Sequence, residues 1–166
     1  MREDESEGDV AFVKQYAEKS EIPFHTIKFD TLDYKKKTGI STQMAARELR
    51  YTWFEQMRKE NGYHSIVTAH HLNDELETFL INLSRGSGIK GLSGIPSNEN
   101  KIIRQRLNFS KEEIYAFSKE NKIEFQKDLS NQKNDYLRNE IRNKIIPEIT
   151  AVSTNFLNGF KDSLSY

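Results

Sequence analysis

The segment "TAHHLNDELETFLINLSRGSGIKGLSGIP" at residues 68–96 combines side chains that acid–base and phosphate chemistry uses. Two adjacent histidines precede Asp74, and Glu77 follows it three residues later. Residues three apart on a helix share a face, so the two carboxylates would be presented together. Such a pair can hold Mg²⁺ with nucleotide phosphates, or orient an amine and accept its proton. We therefore take Asp74 and Glu77 as candidate catalytic residues, with Asp74 also a candidate Mg²⁺ ligand, and either adjacent histidine could hydrogen-bond a phosphate or the substrate.

A structural interpretation of the same cluster is equally open. The run "DELE" can place Asp74 at the N-cap and Glu77 at the third position of a helix, where acidic side chains are favoured. Zinc is less favoured, because adjacent histidines on a strand point to opposite faces and the H-E-x-x-H spacing does not occur.

Basic and glycine-rich segments suggest anion sites. "RGSGIKG" at 85–91 offers Arg85, Lys90 and backbone N–H groups around Ser87 and Gly88, which suit an anion. Its alternative is a left-handed helix end at Gly86 or Gly88. Two arginine pairs at helical spacing could clamp a phosphate or carboxylate, although a solvated helix face is the commoner outcome; the pairs are Arg47 with Arg50 and Arg138 with Arg142.

The hydrophobic pattern predicts strands that alternate with helices. The predicted strands are 22–29, a buried run at 64–71, and 101–107; the predicted helices are 10–20 capped by Asp9, one opened by Ser41 and ended by Gly62, about 73–84, one from the Ser110–Glu113 capping box, and about 135–146 ending near Pro147. Residues 121–134 read as a loop with Asp128, Ser130 and Asn131 as turn formers, and 150–166 as weakly ordered. Alternation of this kind argues for an α/β fold with parallel strands, in which ligands bind at the carboxyl ends of the strands.

Composition restricts the class of protein. Hydrophobic residues make up 36% and charged residues 30% of the 166, and cysteine is absent. Disulfides, thiolate catalysis and cysteine-based zinc sites are therefore excluded. No apolar run approaches the ~18 residues needed to span a bilayer, and the acidic start resembles no leader peptide, so we expect a cytoplasmic protein away from membranes. Residues 101–147 hold eleven basic against seven acidic side chains, a weak indication of a polyanionic partner.

Taken together, the motifs resemble a known family. "A-H-H-x-x-D-x-x-E-T" followed by "R-G-S-G-x-K-G-L-x-G-I", with "AARELRY", "IIR" and "D-x-S-N…Y-x-R-N-x-I-R…P" in the same order, is similar to the tRNA(Ile)-lysidine synthases of the PP-loop ATP-pyrophosphatase superfamily. The resemblance covers about residues 1–147.

The resemblance implies a Rossmann-like PP-loop fold, also called adenine nucleotide alpha hydrolase-like, with parallel strands and flanking helices. It implies a partial catalytic domain at 1–147 and a tail or linker at 148–166. The implied enzyme is an ATP-dependent carbon–nitrogen ligase that uses Mg²⁺. It adenylates C2 of the wobble cytidine of tRNA(Ile) with a CAU anticodon, and free lysine then displaces AMP to give lysidine. The resemblance implies that Asp74 and Glu77, with His70 beside them, are the catalytic residues. It also implies that the arginines face ATP, lysine or tRNA; these are Arg47, Arg50, Arg138 and Arg142.

Departures from the family pattern lead to further expectations. The phosphate-binding S-G-G-x-D-S motif is absent from the 166 residues, Asn73 stands where the family has aspartate, and Gln105 where it has proline. We expect a fragment that lacks the first two strands, is inactive alone, and self-associates through uncovered strand edges. The alternative function is a non-catalytic remnant that binds tRNA or a nucleotide.

Overall fold

The computed structural model describes residues 2–126 and 137–164. The chain divides into two compact units, Met1–Gly62 and Tyr63–Tyr166. In the described residues helices predominate, and the few strands form one small sheet. The predicted α/β class is therefore confirmed in its coarse form, as a mixed α/β chain. None of the helices in these ranges is both long and apolar enough to cross a membrane.

Three helices build the first unit: α1 (Arg2–Lys19), α2 (Thr31–Thr38) and α3 (Thr42–Glu60). The Ser41 hydroxyl accepts a hydrogen bond from the backbone of Met44 at 3.2 Å, which caps the start of α3. Gly62 follows the end of α3 with a φ of +67°, a backbone angle that glycine adopts at little cost. Both predicted ends of this long helix are confirmed.

Two predictions for the first unit are wrong. The first helix starts at Arg2 and runs through Asp9, so Asp9 is not its cap. Acidic side chains stabilise the N-terminal end of a helix, and the acidic residues before Asp9 therefore allow the helix to begin earlier in the chain. Residues 22–29 form no strand. A strand requires a neighbour for its hydrogen bonds, and the described part of this unit contains only helices, so the alternating pattern has no partner there.

The second unit contains the sheet, which has the order β1–β3–β2: β1 is Ile66–Val67, β2 is Asn98–Glu99 and β3 is Ile102–Ile103. β1 and β3 are parallel, with Ile66 opposite Ile102, and β2 is antiparallel to β3. The predicted strands at 64–71 and 101–107 exist but are much shorter than expected. The expected burial is also wrong, because Val67 is 64% exposed and β1 has one neighbour among the described strands.

The hydrophobic core of the second unit lies around helix α4 (Leu72–Ser84), which confirms the helix predicted at 73–84. Apolar residues of α4 at helical spacing face one side and pack against the C-terminal helices; the buried members of the cluster are Leu72, Leu76, Ile81, Ile141, Ile146 and Phe160. Phe160 belongs to α9 (Phe156–Ser163), and its ring lies 5.3 Å from that of Phe79. The weakly ordered tail predicted at 150–166 is therefore wrong for these residues, because its scattered phenylalanine and leucine side chains complete the core.

Between α4 and α9 the described residues form two shorter helices and one long helical segment. α5 spans Ile89–Leu92, and α6 spans Lys111–Glu120. Ser110 and Glu113 form the predicted reciprocal capping box at the start of α6, which is confirmed. The predicted loop formers Asp128, Ser130 and Asn131 lie outside the described residues.

The long helical segment continues further than the sequence predicted. It comprises α7 (Leu137–Glu140), a π-helical turn (Ile141–Ile145) and α8 (Ile146–Val152). Pro147 was expected to stop it, yet the helix passes through Pro147. Pro147 is the second residue of α8, and the turn that precedes α8 is π-helical and not α-helical.

Candidate functional site

The carboxylates of the motif lie at the start of α4. His71 occupies the N-cap in an extended conformation, and its backbone N–H donates to Asp74 Oδ2 at 3.1 Å. Asp74 thus sits at the third helical position and caps the helix, while Glu77 lies one turn further on. The structural interpretation was correct that an acidic side chain caps this helix, although it assigned the positions differently.

Glu77 is almost completely buried, with 1% of its side chain exposed, and it binds Arg142. Arg142 Nε donates to Glu77 Oε1 at 2.6 Å, and Nη2 donates to Oε2 at 2.8 Å. This two-bond geometry is the strongest form of an arginine–carboxylate pair. Because both carboxylate oxygens accept from Arg142, Glu77 in this arrangement orients the arginine.

Asp74 and Arg138 extend this pair into a network. Arg142 Nη2 also lies 3.4 Å from Asp74 Oδ1. Arg138 Nε lies 3.8 Å from Glu77 Oε2, and its Nη2 donates to the hydroxyl of Thr78 at 2.7 Å. Two carboxylates and two guanidinium groups therefore neutralise one another, and the sequence-predicted residues Asp74, Glu77, Arg138 and Arg142 are brought together by the fold.

This network lines one side of a groove of about 1060 Å³ that lies entirely in the second unit. Besides Asp74, Glu77 and Arg142, its wall contains His71 from the start of α4, Lys111 and Tyr115 from α6, and Thr150, Thr154 and Leu157 from the C-terminal segment. The groove is large enough for a nucleotide or an amino acid, since small-molecule sites commonly range from 300 to 1,000 Å³.

Histidine placement differs from the prediction. His70 is not among the residues that line the groove, and its Nδ1 lies 2.9 Å from the hydroxyl of Thr68, whereas its neighbour His71 lines the groove. His71 Nε2 lies 3.5 Å from Asp74 Oδ2, while His71 Nδ1 is buried and has no hydrogen-bond partner within the ranges that the structure describes. The sequence signal for His71 was its position directly before the helix, three residues from Asp74, whose carboxylate it contacts.

The side chain of Asn73, which stands where the family pattern has aspartate, connects the starts of two helices. Its side-chain oxygen accepts from the backbone N–H of Lys111 at 2.8 Å, and the neighbouring Leu72 N–H donates to Phe109 at 2.9 Å. These two bonds tie the start of α4 to the start of α6, which brings Lys111 and Tyr115 into the lining of the same groove. Lys111 and Tyr115 were not anticipated because only this pairing of helix ends brings them there.

The glycine-rich segment lies at the other end of α4. Arg85 ends the helix and is exposed, eleven residues beyond Asp74, which corresponds to about 16 Å along a helix axis. Gly86 adopts the left-handed conformation with φ +68°, and the N–H of Ser87 donates to Asn82 at 3.0 Å. The helix-end alternative is thus confirmed for Gly86. An anion site at Arg85, Ser87 and Gly88 stays a prediction.

Arg47 and Arg50 belong to α3 in the first unit, and both are exposed. The Arg47 guanidinium lies 4.6 Å from the centre of the Tyr51 ring, a cation–π contact within the same helix. Their predicted role in binding a phosphate or carboxylate stays a prediction.

A metal ion in the groove would be bound by few protein ligands. Within residues 2–126 and 137–164 no group of three or more histidine, aspartate and glutamate side chains could hold a metal ion. Asp74 nevertheless fits a Mg²⁺ ion that is bound through one carboxylate and phosphate oxygens, because its carboxylate lines the groove. Glu77 does not fit as a ligand while Arg142 occupies both its oxygens.

Comparison with known proteins gives the family. The family model described as the PP-loop domain matches residues 1–149. The chain is 41% identical over 158 residues to tRNA(Ile)-lysidine synthase of Parabacteroides distasonis, covering 95% of this chain and 36% of the relative. It is 43% identical over 148 residues to the synthase of Porphyromonas gingivalis, covering 89% and 33%. The synthase of Bacteroides thetaiotaomicron is 38% identical over 166 residues, covering 100% and 39%.

These relatives are longer proteins, of which the chain spans between 33% and 39%. The family match, in contrast, extends over nearly the whole chain and includes both the acidic helix start and the arginine-bearing helix of the groove. The chain therefore belongs to the PP-loop domain family.

Proposed function

We propose that this chain is part of the catalytic domain of a tRNA(Ile)-lysidine synthase. The observation that carries the proposal is the similarity to synthases of this name along 89–100% of the chain, at 38–43% identity. The groove of the second unit supports it, because it combines carboxylates, guanidinium groups and a histidine at the start of one helix. The finer fold, a Rossmann-like arrangement, is supported by the parallel β1–β3 pair with α4 in its connection.

The proposed reaction has two steps. The O2 atom of the wobble cytidine in a CAU anticodon attacks the α-phosphorus of ATP, and pyrophosphate leaves. The ε-amine of free lysine then attacks C2, AMP leaves with the oxygen, and the attacking nitrogen loses protons. Both steps need developing negative charge on phosphate to be neutralised, and the second needs the lysine amine to be held and deprotonated.

We assign residues of the groove to the two requirements of the reaction, which are charge neutralisation on phosphate and deprotonation of the lysine amine. Asp74 is proposed to face the reactants, either as the protein ligand of a Mg²⁺ ion on the ATP phosphates or as the acceptor for the lysine ammonium. Bound Mg²⁺ would supply charge neutralisation on the phosphates. Arg142 offers a guanidinium at the same wall, and Glu77 holds it in place through the two hydrogen bonds described above. His71, which lines the groove, is also proposed to contact a reactant, and the catalytic role of His70 stays a prediction.

The remaining basic residues are proposed for the nucleic acid and ATP surfaces. Arg138 lies beside the groove network, and Arg85 with its following glycine-rich turn could contact phosphate at the far end of α4. Arg47 and Arg50, on the first unit, are proposed to bind ATP or tRNA phosphates. Self-association of the chain also stays a prediction.

Lysine incorporation tests the function. The product of the complete gene that contains this chain is incubated with ATP, Mg²⁺, labelled lysine and a tRNA with a CAU anticodon, and label in the tRNA is measured. Incorporation that depends on ATP and on the cytidine of the anticodon is expected. No label, with tRNA still bound, would reject the synthase and favour the non-catalytic binding alternative.

A matched pair of variants tests Asp74. Asp74→Asn should abolish incorporation, because the amide can still accept the His71 N–H but carries no charge for Mg²⁺ or ammonium. Glu113→Gln is the control, since Glu113 occupies the same helical position in α6 and accepts from Ser110 N–H at 2.6 Å. Equal activity of both variants would show that Asp74 only caps its helix.

A further inference from the structure

The π-helical turn Ile141–Ile145 changes which residues of the long helical segment face the core. Ile141 and Ile146 are both buried, with exposures of 6% and 9%, whereas Ile145 is 47% exposed. In an α-helix the residue four positions after Ile141 would share its face, and the fifth would point about 140° away. The backbone N–H of Ile146 donates to Ile141, which closes the wider turn. The burial pattern therefore follows the π turn.

Pro147 gives a physical reason for that turn. A proline inside an α-helix cannot donate to the carbonyl four residues earlier, and its ring clashes with that carbonyl. Here the carbonyl would be that of Asn143, which lies in the π turn directly before Pro147. Widening the turn by one residue moves this carbonyl away from its α-helical position relative to the ring. The helix can then pass through Pro147 and continue to Val152.

Arg142 is the second residue of the π turn and lies near its upstream end. Each residue of an α-helix is rotated by about 100° about the helix axis relative to the one before it. Conversion of the π turn into an α-helical turn would therefore rotate Arg142 by about 100° relative to α8. Buried Ile146 anchors α8 in the core. Such a rotation would take Nε and Nη2 of Arg142 away from Glu77, to which they now donate at 2.6 and 2.8 Å. Single π turns inside α-helices frequently occur at functional sites.

We propose that Pro147 is a positioning residue: it maintains the π turn that aims Arg142 at Glu77 and at the groove. It acts through Arg142, and its assignment to lysidine formation rests on the proposed function. The hydrogen-bonding part of the inference is independent of that function.

The side-chain Nε–H of Arg142 reports the pairing directly. In protein from the complete gene labelled with ¹⁵N-arginine, the Arg142 signal is identified by its loss in Arg142→Lys, and its hydrogen exchange with solvent is measured. Pro147→Ala should accelerate this exchange at least tenfold, because the segment relaxes to an unbroken α-helix. Glu148→Ala, a change at an exposed neighbour, should leave the exchange unchanged.

A deletion provides the rescue. Removing exposed Lys144 from the Pro147→Ala variant takes out the extra residue, so Ile141 and Ile146 return to one face of an α-helix and Arg142 turns back to Glu77. Slow exchange should be restored. Unchanged exchange in Pro147→Ala, or failure of the deletion to restore it, would overturn the proposal.

Lysine incorporation completes the test. In the same variants incorporation should fall with Pro147→Ala and recover with the Lys144 deletion, in parallel with the Nε–H signal. If the unaltered gene product incorporates no lysine, the proposed function fails, and the exchange measurement still decides the role of Pro147. An active Pro147→Ala variant with a lost signal would remove Pro147 from the reaction.

Discussion

Removal of Arg142 should expose the cost of burying a carboxylate. In the Arg142→Met variant Glu77, 1% exposed, loses the donor of both its short hydrogen bonds. Two unit charges about 4 Å apart attract by about 4 kcal/mol at an effective dielectric constant near 20. Breaking a buried pair by removing one partner typically costs about 3–5 kcal/mol, because the remaining charge stays uncompensated. Because Arg138 Nε still lies 3.8 Å from Glu77 Oε2 in this variant, we expect α4 to lose up to about this much local stability.

The two partners should behave unequally. Arg142 is 24% exposed, so after Glu77→Met its guanidinium can turn towards water, and the cost should be smaller than for Arg142→Met. The double variant Glu77→Met with Arg142→Met removes the buried carboxylate together with its bound guanidinium, and apolar replacements of both partners of a buried pair are often neutral or stabilising. It should therefore be more stable than Arg142→Met alone.

Amide hydrogen exchange measured on peptides from α4 is the appropriate assay. The single tryptophan, Trp53, lies in the first unit, so its fluorescence does not report on the groove. A loss of 3–5 kcal/mol corresponds to exchange of the most protected α4 amides that is faster by about two to four powers of ten. Lys144→Met is the control, since its pair with Glu140 at 2.9 Å is exposed and should contribute little. Wild-type exchange in Arg142→Met, or a double variant no more stable than it, would refute the reasoning.

Further variants test packing and pH dependence in the second unit. Gly94→Ala should unfold more easily than Gly39→Ala in thermal melts: both glycines have a positive φ, but only at position 94 would the new Cβ clash with Glu75 Oε1; equal losses would contradict this contact. Burial raises the pKa of the Glu75 carboxyl, a shift that the backbone N–H of Ile95 and the charge of Arg104 partly oppose. The folded state therefore holds the Glu75 proton more tightly than the unfolded state, so the free energy of unfolding falls as the pH rises from the unfolded pKa through the raised folded pKa. Glu75→Gln should flatten that decline, measured by urea titrations at several pH values. An unchanged pH profile in this variant would contradict the raised pKa of Glu75. Phe160→Ala should cost about 3–5 kcal/mol in the same unfolding experiments because its ring is buried against Phe79, whereas a loss below about 1 kcal/mol would mean that α9 contributes little to the core.

Helix caps and helix ends, which depend on residues close together in the chain, were predictable from the sequence. Ser41 as the cap of α3, Ser110 with Glu113 at the start of α6, and the left-handed glycine after α4 all depend on neighbours within a few positions, and all three were confirmed. The acidic and arginine motifs also identified the groove side chains Asp74, Glu77 and Arg142, because their types and order resemble one family.

Tertiary structure decided what those side chains do. Whether residues 22–29 form a strand depends on a neighbouring strand, which local alternation does not specify. Likewise Glu77 looked like a free carboxylate until a helix 65 residues later placed Arg142 on both its oxygens. His71, the extended cap residue of α4, lines the groove, whereas His70 before it does not. Pairings between distant segments depend on packing, and packing is a property of the whole fold that no short motif contains.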